Sequence, residues 1–246
     1  KKGAIFFSSA FDETSVDFLQ GLNVQVYKVA SFEAVDIGLL EKIGKTKKPV
    51  IISRGMASLD EIKLAVKTLN KAGSPQVAIL HCVSEYPADP KDMNLSTIPD
   101  LAKRFKVVTG LSDHTLGITT SITAVALGAS VIEKHVTLKR SEGGPDAAFS
   151  LEPKELKDLV RAIREVEQSF GKPTYIINKN EAKNKAFRRS LFVVKDIKKG
   201  EKFTKNNVRS IRPGYGLATK YLNAVLGKIT TRDIEKGTPL SWKLIK

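Results

Sequence analysis

Two of the three histidines in this 246-residue chain end short apolar runs: VVTGLSDH ends at His114 and SVIEKH ends at His135. Neutral imidazoles bind first-row divalent cations, with carboxylates or water at the remaining positions. A histidine at the end of a strand can equally form a hydrogen bond to a backbone carbonyl, and two distant histidines are less specific than a Cys/His finger. The pair therefore leaves two alternatives, a divalent metal site or two structural histidines. For His81, beside Cys82, the structural alternative is favoured.

A lysine and several serines follow other apolar runs in the same part of the chain. One ammonium surrounded by neutral hydroxyl donors suits a phosphate or a carboxylate. A single serine at such a place would indicate only a helix cap. Together the residues predict an anion site, whose candidate members are Ser9, Lys28, Ser31, Ser53 and Ser112.

The apolar runs themselves have the length and composition of buried strands, and helical patterns lie between most of them. Ser58–Ala72 begins with a Ser58 and Glu61 capping box, and Pro153 stands at the first position of a later helix. This alternation predicts a parallel sheet covered by helices, with the C-terminal ends of all strands on one side. The six predicted strands are Ala4–Ser8, Val24–Ala30, Val50–Ser53, Val77–Val83, Val107–Leu111 and Val131–Val136.

Composition narrows the class of protein. Hydrophobic residues make up 41% of the chain, but no apolar run is long enough to span a membrane, and the first residues lack the pattern of a signal peptide. Cys82 is the only cysteine, which excludes an internal disulfide framework and suits a reducing cytoplasm. We therefore expect a cytoplasmic protein without a membrane partner.

The net charge of +15 is concentrated at one end of the chain. Residues 172–246 contain 19 Lys and Arg against 5 Asp and Glu, whereas the preceding residues contain 22 against 21. This imbalance indicates an anionic partner, either nucleic acid or a small acidic substrate, or simply a solvated lysine-rich surface. Nucleic acid is the weaker alternative, because no basic motif interleaved with aromatic residues is present.

The same patterns divide the chain into residues 1–171, a linker at 172–186, and a small domain at 187–246. The small domain contains an internal repeat, in which DIKKGEKFT from Asp196 resembles DIEKGTPLS from Asp233. Gly200 and Gly237 occupy matching positions in it. The repeat predicts a small β domain with two related halves.

The ordered set GLSDHTLG, EKHVTL, GGPDAAFSLEP and RPGYG resembles the sialic acid synthase family across essentially all 246 residues. The resemblance implies a (β/α)8 TIM barrel followed by a small β-rich antifreeze-like domain (SAF, β-clip). It also implies condensation of phosphoenolpyruvate with an N-acetylated amino-sugar. The Ala-Ala-Phe after Asp146 favours the pseudaminic acid branch, which uses 2,4-diacetamido-2,4,6-trideoxy-altropyranose, over the N-acetylneuraminate and legionaminate branches.

By resemblance, His114 and His135 hold a divalent ion, Mn²⁺ or Mg²⁺, and the lysine and serines form the phosphoenolpyruvate cradle. Arg212 and Phe187 would reach the site of a partner subunit in a homodimer with exchanged SAF domains. Ser84 stands where some members have asparagine, which weakens its match to a substrate contact. The remaining implied site residues, assigned to catalysis, are Glu33, Tyr86 and Asp146.

The count of six strands departs from the eight of the family's barrel, and the first two βα units are the ones without a counterpart. Six strands cannot close that barrel. We therefore expect these 246 residues alone to show no condensation. A different class, a non-catalytic anion-binding or nucleic-acid-binding protein that uses the basic C-terminal part, is the alternative to an enzyme.

Overall fold

The computed structural model describes residues 3–246, and the chain divides into two compact units between Gly171 and Lys172. The first unit alternates helices and strands. Its strands are β1 (Tyr27–Val29), β2 (Val50–Ser53), β3 (Val77–Cys82), β4 (Val108–Asp113) and β5 (Val131–Lys134). Its helices are α1 (Glu13–Gly21), α2 (Ile37–Lys45), α3 (Leu59–Ala72), α4 (Thr97–Phe105), α5 (Thr119–Ala126) and α6 (Pro153–Ser169).

The five strands form one parallel sheet in the order β1-β2-β3-β4-β5, which confirms the predicted parallel arrangement. The register pairs Lys28 with Ile51, Cys82 with Ser112, and Asp113 with Lys134. Consecutive strands are therefore neighbours, and their C-terminal ends share one edge of the sheet.

The prediction of a strand at Ala4–Ser8 is wrong. Residues 4–8 lack regular structure, and only Ser9 forms an isolated parallel bridge, with Lys28. The apolar side chains of this segment remain exposed; Phe6, for example, is 63% exposed. Since β propensity reflects packing on a half-buried surface, an apolar sequence without that packing does not become a strand.

The helices begin where the sequence indicates. The Ser58 side chain accepts a hydrogen bond from the backbone of Glu61 and the Glu61 carboxylate accepts one from the backbone of Ser58, so the predicted capping box starts α3. Pro153 occupies the first turn of α6, whose N-terminal groups are capped by Glu152 and Glu155. Helices α1 to α5 pack on the sheet around two apolar clusters, one centred on β1 to β3 and one around Met93, Ile98 and Leu111.

The second unit contains α7 (Lys179–Ala182), β6 (Ser190–Val193), β7 (Val208–Ile211) and α8 (Leu222–Val225), with β6 antiparallel to β7. The two copies of the sequence repeat face each other in this unit. The Asp196 carboxylate accepts a hydrogen bond from the backbone N–H of Lys236. In the same way, the Asp233 carboxylate accepts one from the backbone N–H of Lys199. Ile197 and Ile234 exchange backbone hydrogen bonds of 2.9 Å at the centre.

The segment at 172–186, predicted as a linker, contains α7 and the start of a 3₁₀ turn at Lys183–Phe187. Asn178 caps α7 by accepting from the backbone of Glu181, so local capping accounts for this short helix. Among residues 3–246, every helix is too short or too polar to cross a membrane.

Candidate active site

An open pocket of about 190 Å³ lies at the C-terminal ends of β1 to β5. It collects side chains from five successive strand ends, as expected for a parallel sheet. Larger grooves, lined mostly by aliphatic and lysine residues, lie between α2 and α3 and at the opposite edge of the sheet. The pocket is lined by Ser9, Lys28, Ala30, Ser31, Phe32, Ser53, Cys82, Tyr86, Ser112, His114, Glu133 and His135.

Lys28 is the cation of the pocket, and its side chain is only 7% exposed. Its ammonium donates to the Ser53 hydroxyl and lies 3.2 Å from the Glu133 carboxylate. Burial lowers the pKa of Lys28, and Glu133 opposes that shift. The Ser112 hydroxyl donates to the other oxygen of Glu133 at 2.6 Å. The predicted lysine and two of its serines therefore converge, around a carboxylate that shares their donors.

The other predicted serines lie on either side of this group. Ser9 is held beside the end of β1 by its bridge with Lys28. The hydroxyl oxygens of Ser31 and Ser84 are 2.9 Å apart. Ser84 therefore contacts Ser31, which lines the pocket.

The His114 and His135 rings lie close together, with centroids 5.3 Å apart and planes at 63°. Nδ1 of His114 is 2.9 Å from the carbonyl oxygen of Val83. Since a carbonyl only accepts, that nitrogen carries the proton and Nε2 keeps its lone pair. Burial lowers the pKa of His114, with a further contribution from His135, which favours the neutral ring.

Two aromatic rings pack against the histidines. The ring centroid of Tyr86 is 4.3 Å from that of His114, and the centroid of Phe149 is 5.0 Å from that of His135. Phe149 is 5% exposed, so it closes one side of the pair to water. Burial raises the pKa of the Tyr86 phenol, which keeps the hydroxyl protonated at neutral pH.

Asp146 lies on the loop that follows β5, and its carboxylate is 3.5 Å from Nδ1 of His135. Arg140 fastens this loop to α6 through two hydrogen bonds to the Glu155 carboxylate, and it donates a third to the carbonyl of Ser150 within the loop. The Ser150 hydroxyl in turn donates to the carbonyl of Asp146 at 2.7 Å. The loop is therefore held at both ends beside the histidine.

The donor set fits a divalent cation only in part. Two imidazoles converge, and each has Nδ1 facing an oxygen of the protein, the arrangement that orients Nε2 toward a metal. However, residues 3–246 contain no cluster of three or more His, Cys, Asp or Glu side chains in a metal-binding arrangement. Glu133, the carboxylate among the lining residues, is already engaged by Lys28 and Ser112. An ion at this place would depend on water or substrate for its other ligands.

Three other predicted residues are not among those that line the pocket. Glu33 begins the 3₁₀ turn after Ser31, and its Oε2 is buried without a hydrogen-bond partner among residues 3–246. Phe187 and Arg212 belong to the second unit, in which Phe187 is 64% exposed.

His81 is fully buried. Its Nε2 is bound to the carbonyl of Met93 and its Nδ1 accepts a hydrogen bond from Arg54, so the structural interpretation is confirmed.

Glu133 and Phe149 are residues of the site to which the sequence alone gives no role. Glu133 lies in β5 and His135 comes two residues later, directly after the strand ends, so continued alternation places both on one face. That spacing could have identified it. Phe149 could not have been found in this way, because its place depends on the loop after β5.

Comparison with known proteins agrees with these features. Residues 1–175 match the NeuB family and residues 188–246 match the SAF domain. The chain is 42% identical to the pseudaminic acid synthase of Helicobacter pylori over 96% of its own length and 69% of that protein. It is 43% identical to the N,N'-diacetyllegionaminic acid synthase of Campylobacter jejuni over 94% of its own length and 70% of that protein.

A solved structure, the spore coat polysaccharide biosynthesis protein SpsE of Bacillus subtilis, superimposes with a TM-score of 0.66 at 35% identity. The match covers 99% of this chain and 74% of the SpsE chain. The sequence matches, this fold and the convergence of lysine, serines and histidines at one end of a parallel sheet lead to one conclusion: the chain belongs to the NeuB family of sugar acid synthases, with a SAF domain after the catalytic unit.

Proposed function

We propose that this protein condenses phosphoenolpyruvate with 2,4-diacetamido-2,4,6-trideoxy-altropyranose and water to give pseudaminic acid and phosphate. The observation that carries the proposal is the pocket in which Lys28, Ser53 and Ser112 lie beside the paired rings of His114 and His135. Such an arrangement would suit an anion at the lysine and the hydroxyls, next to a divalent cation at the two imidazoles. Relatives named as pseudaminic acid synthases, at 41% and 42% identity, support the choice of product.

The cradle would hold phosphoenolpyruvate by its phosphate and carboxylate. The Lys28 ammonium supplies a buried charge, and the serine hydroxyls supply neutral donors that match several anionic oxygens. Around a buried ammonium such donors act more strongly than in bulk water, because the local dielectric is low. Glu133 must give up part of its contact with Lys28 and Ser112 when the substrate binds there.

The sugar would lie on the side of His135 and Asp146. In the reaction, C3 of phosphoenolpyruvate attacks the aldehyde carbon of the open-chain sugar, water adds at C2, and phosphate leaves with cleavage of its C–O bond. A Mn²⁺ or Mg²⁺ ion held by His114 and His135 would supply Lewis acidity to the aldehyde oxygen. Asp146 would accept hydrogen bonds from the hydroxyl groups of the sugar. Glu33 and Tyr86 are the further catalytic candidates. Most of the rate gain would come from positioning the two reactants face to face.

We further propose that the five βα units are part of a (β/α)8 barrel and that the protein acts as a homodimer. In that dimer Arg212 and Phe187 serve the pocket of the partner subunit. Two inactive variants, His114→Ala and Arg212→Ala, test this arrangement when they are mixed after unfolding and refolding. Exchange predicts partial recovery of turnover, because one pocket of a mixed dimer has every group. No recovery would contradict the exchange.

The product assignment has one rival that a specific observation favours. The legionaminic acid synthase of C. jejuni is as similar in sequence as the pseudaminic acid synthases. The deciding experiment measures phosphate release by the full-length protein with phosphoenolpyruvate, Mn²⁺ and each of three sugars, the precursors of pseudaminate, legionaminate and N-acetylneuraminate. We expect the first to have the highest kcat/KM. Preference for another precursor would change the product that we assign. Absence of phosphate release with all three sugars would refute synthase activity.

A further inference from the structure

A buried ion pair lies directly behind the two histidines. The Lys134 ammonium is 3.0 Å from Oδ2 of Asp113, and the two side chains are 3% and 0% exposed. Asp113 and Lys134 are register partners at the ends of β4 and β5. The residues that follow them in the chain are His114 and His135, so the pair joins the two strand ends at the point where the imidazoles leave the sheet.

Both charged groups of the pair have further hydrogen-bond partners. Oδ1 of Asp113 accepts from the backbone and the hydroxyl of Thr115 at 2.9 and 2.8 Å, and Oδ2 accepts from the Ser121 hydroxyl at 2.5 Å. The Lys134 ammonium also donates to the carbonyl of Thr115. The network therefore connects β4, β5 and the first turn of α5, and leaves little freedom to either strand end.

The pair faces away from the pocket. Successive side chains of a strand point to opposite faces, so Ser112 and His114 line the pocket whereas Asp113 points to the helix side. The same alternation puts Glu133 and His135 in the pocket and Lys134 behind the sheet. Neither charged group therefore lies where a substrate or an ion in the pocket could touch it.

Stability alone does not account for such a pair. Removing two charges from water is costly, and apolar residues of similar volume often stabilise a protein as well or better. What a buried pair with these further hydrogen bonds adds is a fixed geometry. Here the geometry that it fixes is the relative position of two strand ends whose next residues form the candidate metal site.

We propose that Asp113 and Lys134 are positioning residues that set the separation of His114 and His135, and with it the affinity of the pocket for a divalent cation. This inference rests on the proposed function only in taking the histidines as the metal ligands. Removing a group that orients a metal ligand commonly lowers metal affinity about 10-fold to 100-fold. The phosphoenolpyruvate cradle includes Ser112 on β4, but its charge and a further hydroxyl come from Lys28 and Ser53 on β1 and β2, so it is affected less.

The test uses the double variant Asp113→Leu/Lys134→Met, which removes both charges together and leaves neither one unpaired. The probes are Mn²⁺ alone, measured by electron paramagnetic resonance, and phosphoenolpyruvate alone, measured by calorimetry. Urea unfolding of each variant is followed in parallel. Lys139→Met, which changes a lysine in an exposed pair with Glu142, is the matched control.

We expect the folded double variant to bind Mn²⁺ about 10-fold to 100-fold more weakly and phosphoenolpyruvate within about threefold of the parent protein. The control should bind Mn²⁺ unchanged. Unchanged Mn²⁺ affinity in the folded double variant would overturn the proposal. If the double variant does not fold, Ser121→Ala, which removes one hydrogen bond to Asp113, decides by the same criterion, with an expected loss of at least threefold.

If the histidines are not metal ligands, so that the proposed function fails, the Mn²⁺ measurements give a result that differs from both outcomes above. In that case the parent protein and His114→Ala bind Mn²⁺ equally weakly. The positioning claim is then decided by crystal structures of the parent protein and the double variant. A change in the 5.3 Å separation of the two ring centroids supports it, and an unchanged separation overturns it.

Discussion

Glu133 occupies the donors that an anionic substrate would need. Its carboxylate contacts the Lys28 ammonium at 3.2 Å and the Ser112 hydroxyl at 2.6 Å. A bound phosphate or carboxylate would meet both competition for these donors and repulsion from a like charge. The carboxylate therefore sets the affinity of the pocket for anions.

We expect Glu133→Gln to bind phosphoenolpyruvate at least about threefold more tightly, because the amide keeps the shape of the side chain and removes the repulsion. Calorimetry at low salt measures this effect. Glu142→Gln, a change in an exposed pair with Lys139, is the control and should leave the affinity unchanged. Weaker binding by Glu133→Gln would mean that the carboxylate orients Lys28 for the substrate.

His81 makes the folded protein sensitive to acid. Burial lowers its pKa below the ordinary value, so the folded protein holds the ring neutral while the unfolded chain takes up a proton below about pH 6.5. Protonation therefore favours the unfolded state, and the free energy of unfolding should fall as the pH drops below about 6.5. The slope from one histidine reaches about 1.4 kcal/mol per pH unit.

Urea unfolding between pH 7.5 and 5.5 measures this slope, and His81→Asn removes the contribution of the ring. The slope of the variant should be smaller than that of the parent protein. Equal slopes in the two proteins would show that His81 does not carry the effect.

At the scale of elements, the contact between β4 and β5 determines where both histidines lie. Gly110 is the register partner of Val131, and a Cβ on Gly110 would lie 2.2 Å from the carbonyl oxygen of Val131 and 2.7 Å from a methyl of Leu80. Only glycine allows the two strands to approach this closely.

We expect Gly110→Ala to lower the free energy of unfolding by about 1–3 kcal/mol, because the methyl group must push backbone rather than a flexible side chain. Gly21→Ala is the control, since a Cβ at that position has no heavy atom within 4 Å. Urea unfolding of both variants checks the contrast. A Gly110→Ala protein as stable as the control would contradict the close approach.

The elements also show what a sequence can predict. Periodicity and capping located α3, α6 and the strands β1 to β5, because each is defined by local signals and by burial on the sheet. Residues 4–8 have the same apolar composition but stay exposed, since burial is a property of neighbours and not of the segment. The polar residues at the ends of the strands predicted which side chains would lie close together. The contact of Lys28 with Glu133 spans β1 and β5, and no local pattern encodes it.

At the scale of the whole molecule, each unit has an apolar core of its own. The core of the second unit includes Leu191, Phe203, Val208, Ile234 and Leu244. The crossed hydrogen bonds of Asp196 and Asp233 close its two halves on each other. Such a unit satisfies its own backbone and buries its own apolar surface.

We therefore expect residues 172–246, expressed alone, to unfold in one cooperative thermal transition. Circular dichroism at several wavelengths measures it, and Ile234→Ala, which leaves a cavity in this core, should lower the midpoint. A gradual change without a transition would show that this unit depends on the first one.

The central claim is that the pocket at the strand ends binds phosphoenolpyruvate through Lys28, and calorimetric titration with that ligand tests it most directly. One site per chain is expected. Lys28→Met should weaken binding about 10-fold to 100-fold, the value of a hydrogen bond to a charged group. Lys63→Met, a change on the exposed surface of α3, should leave it unchanged. Equal affinity in the parent protein and Lys28→Met would contradict the account.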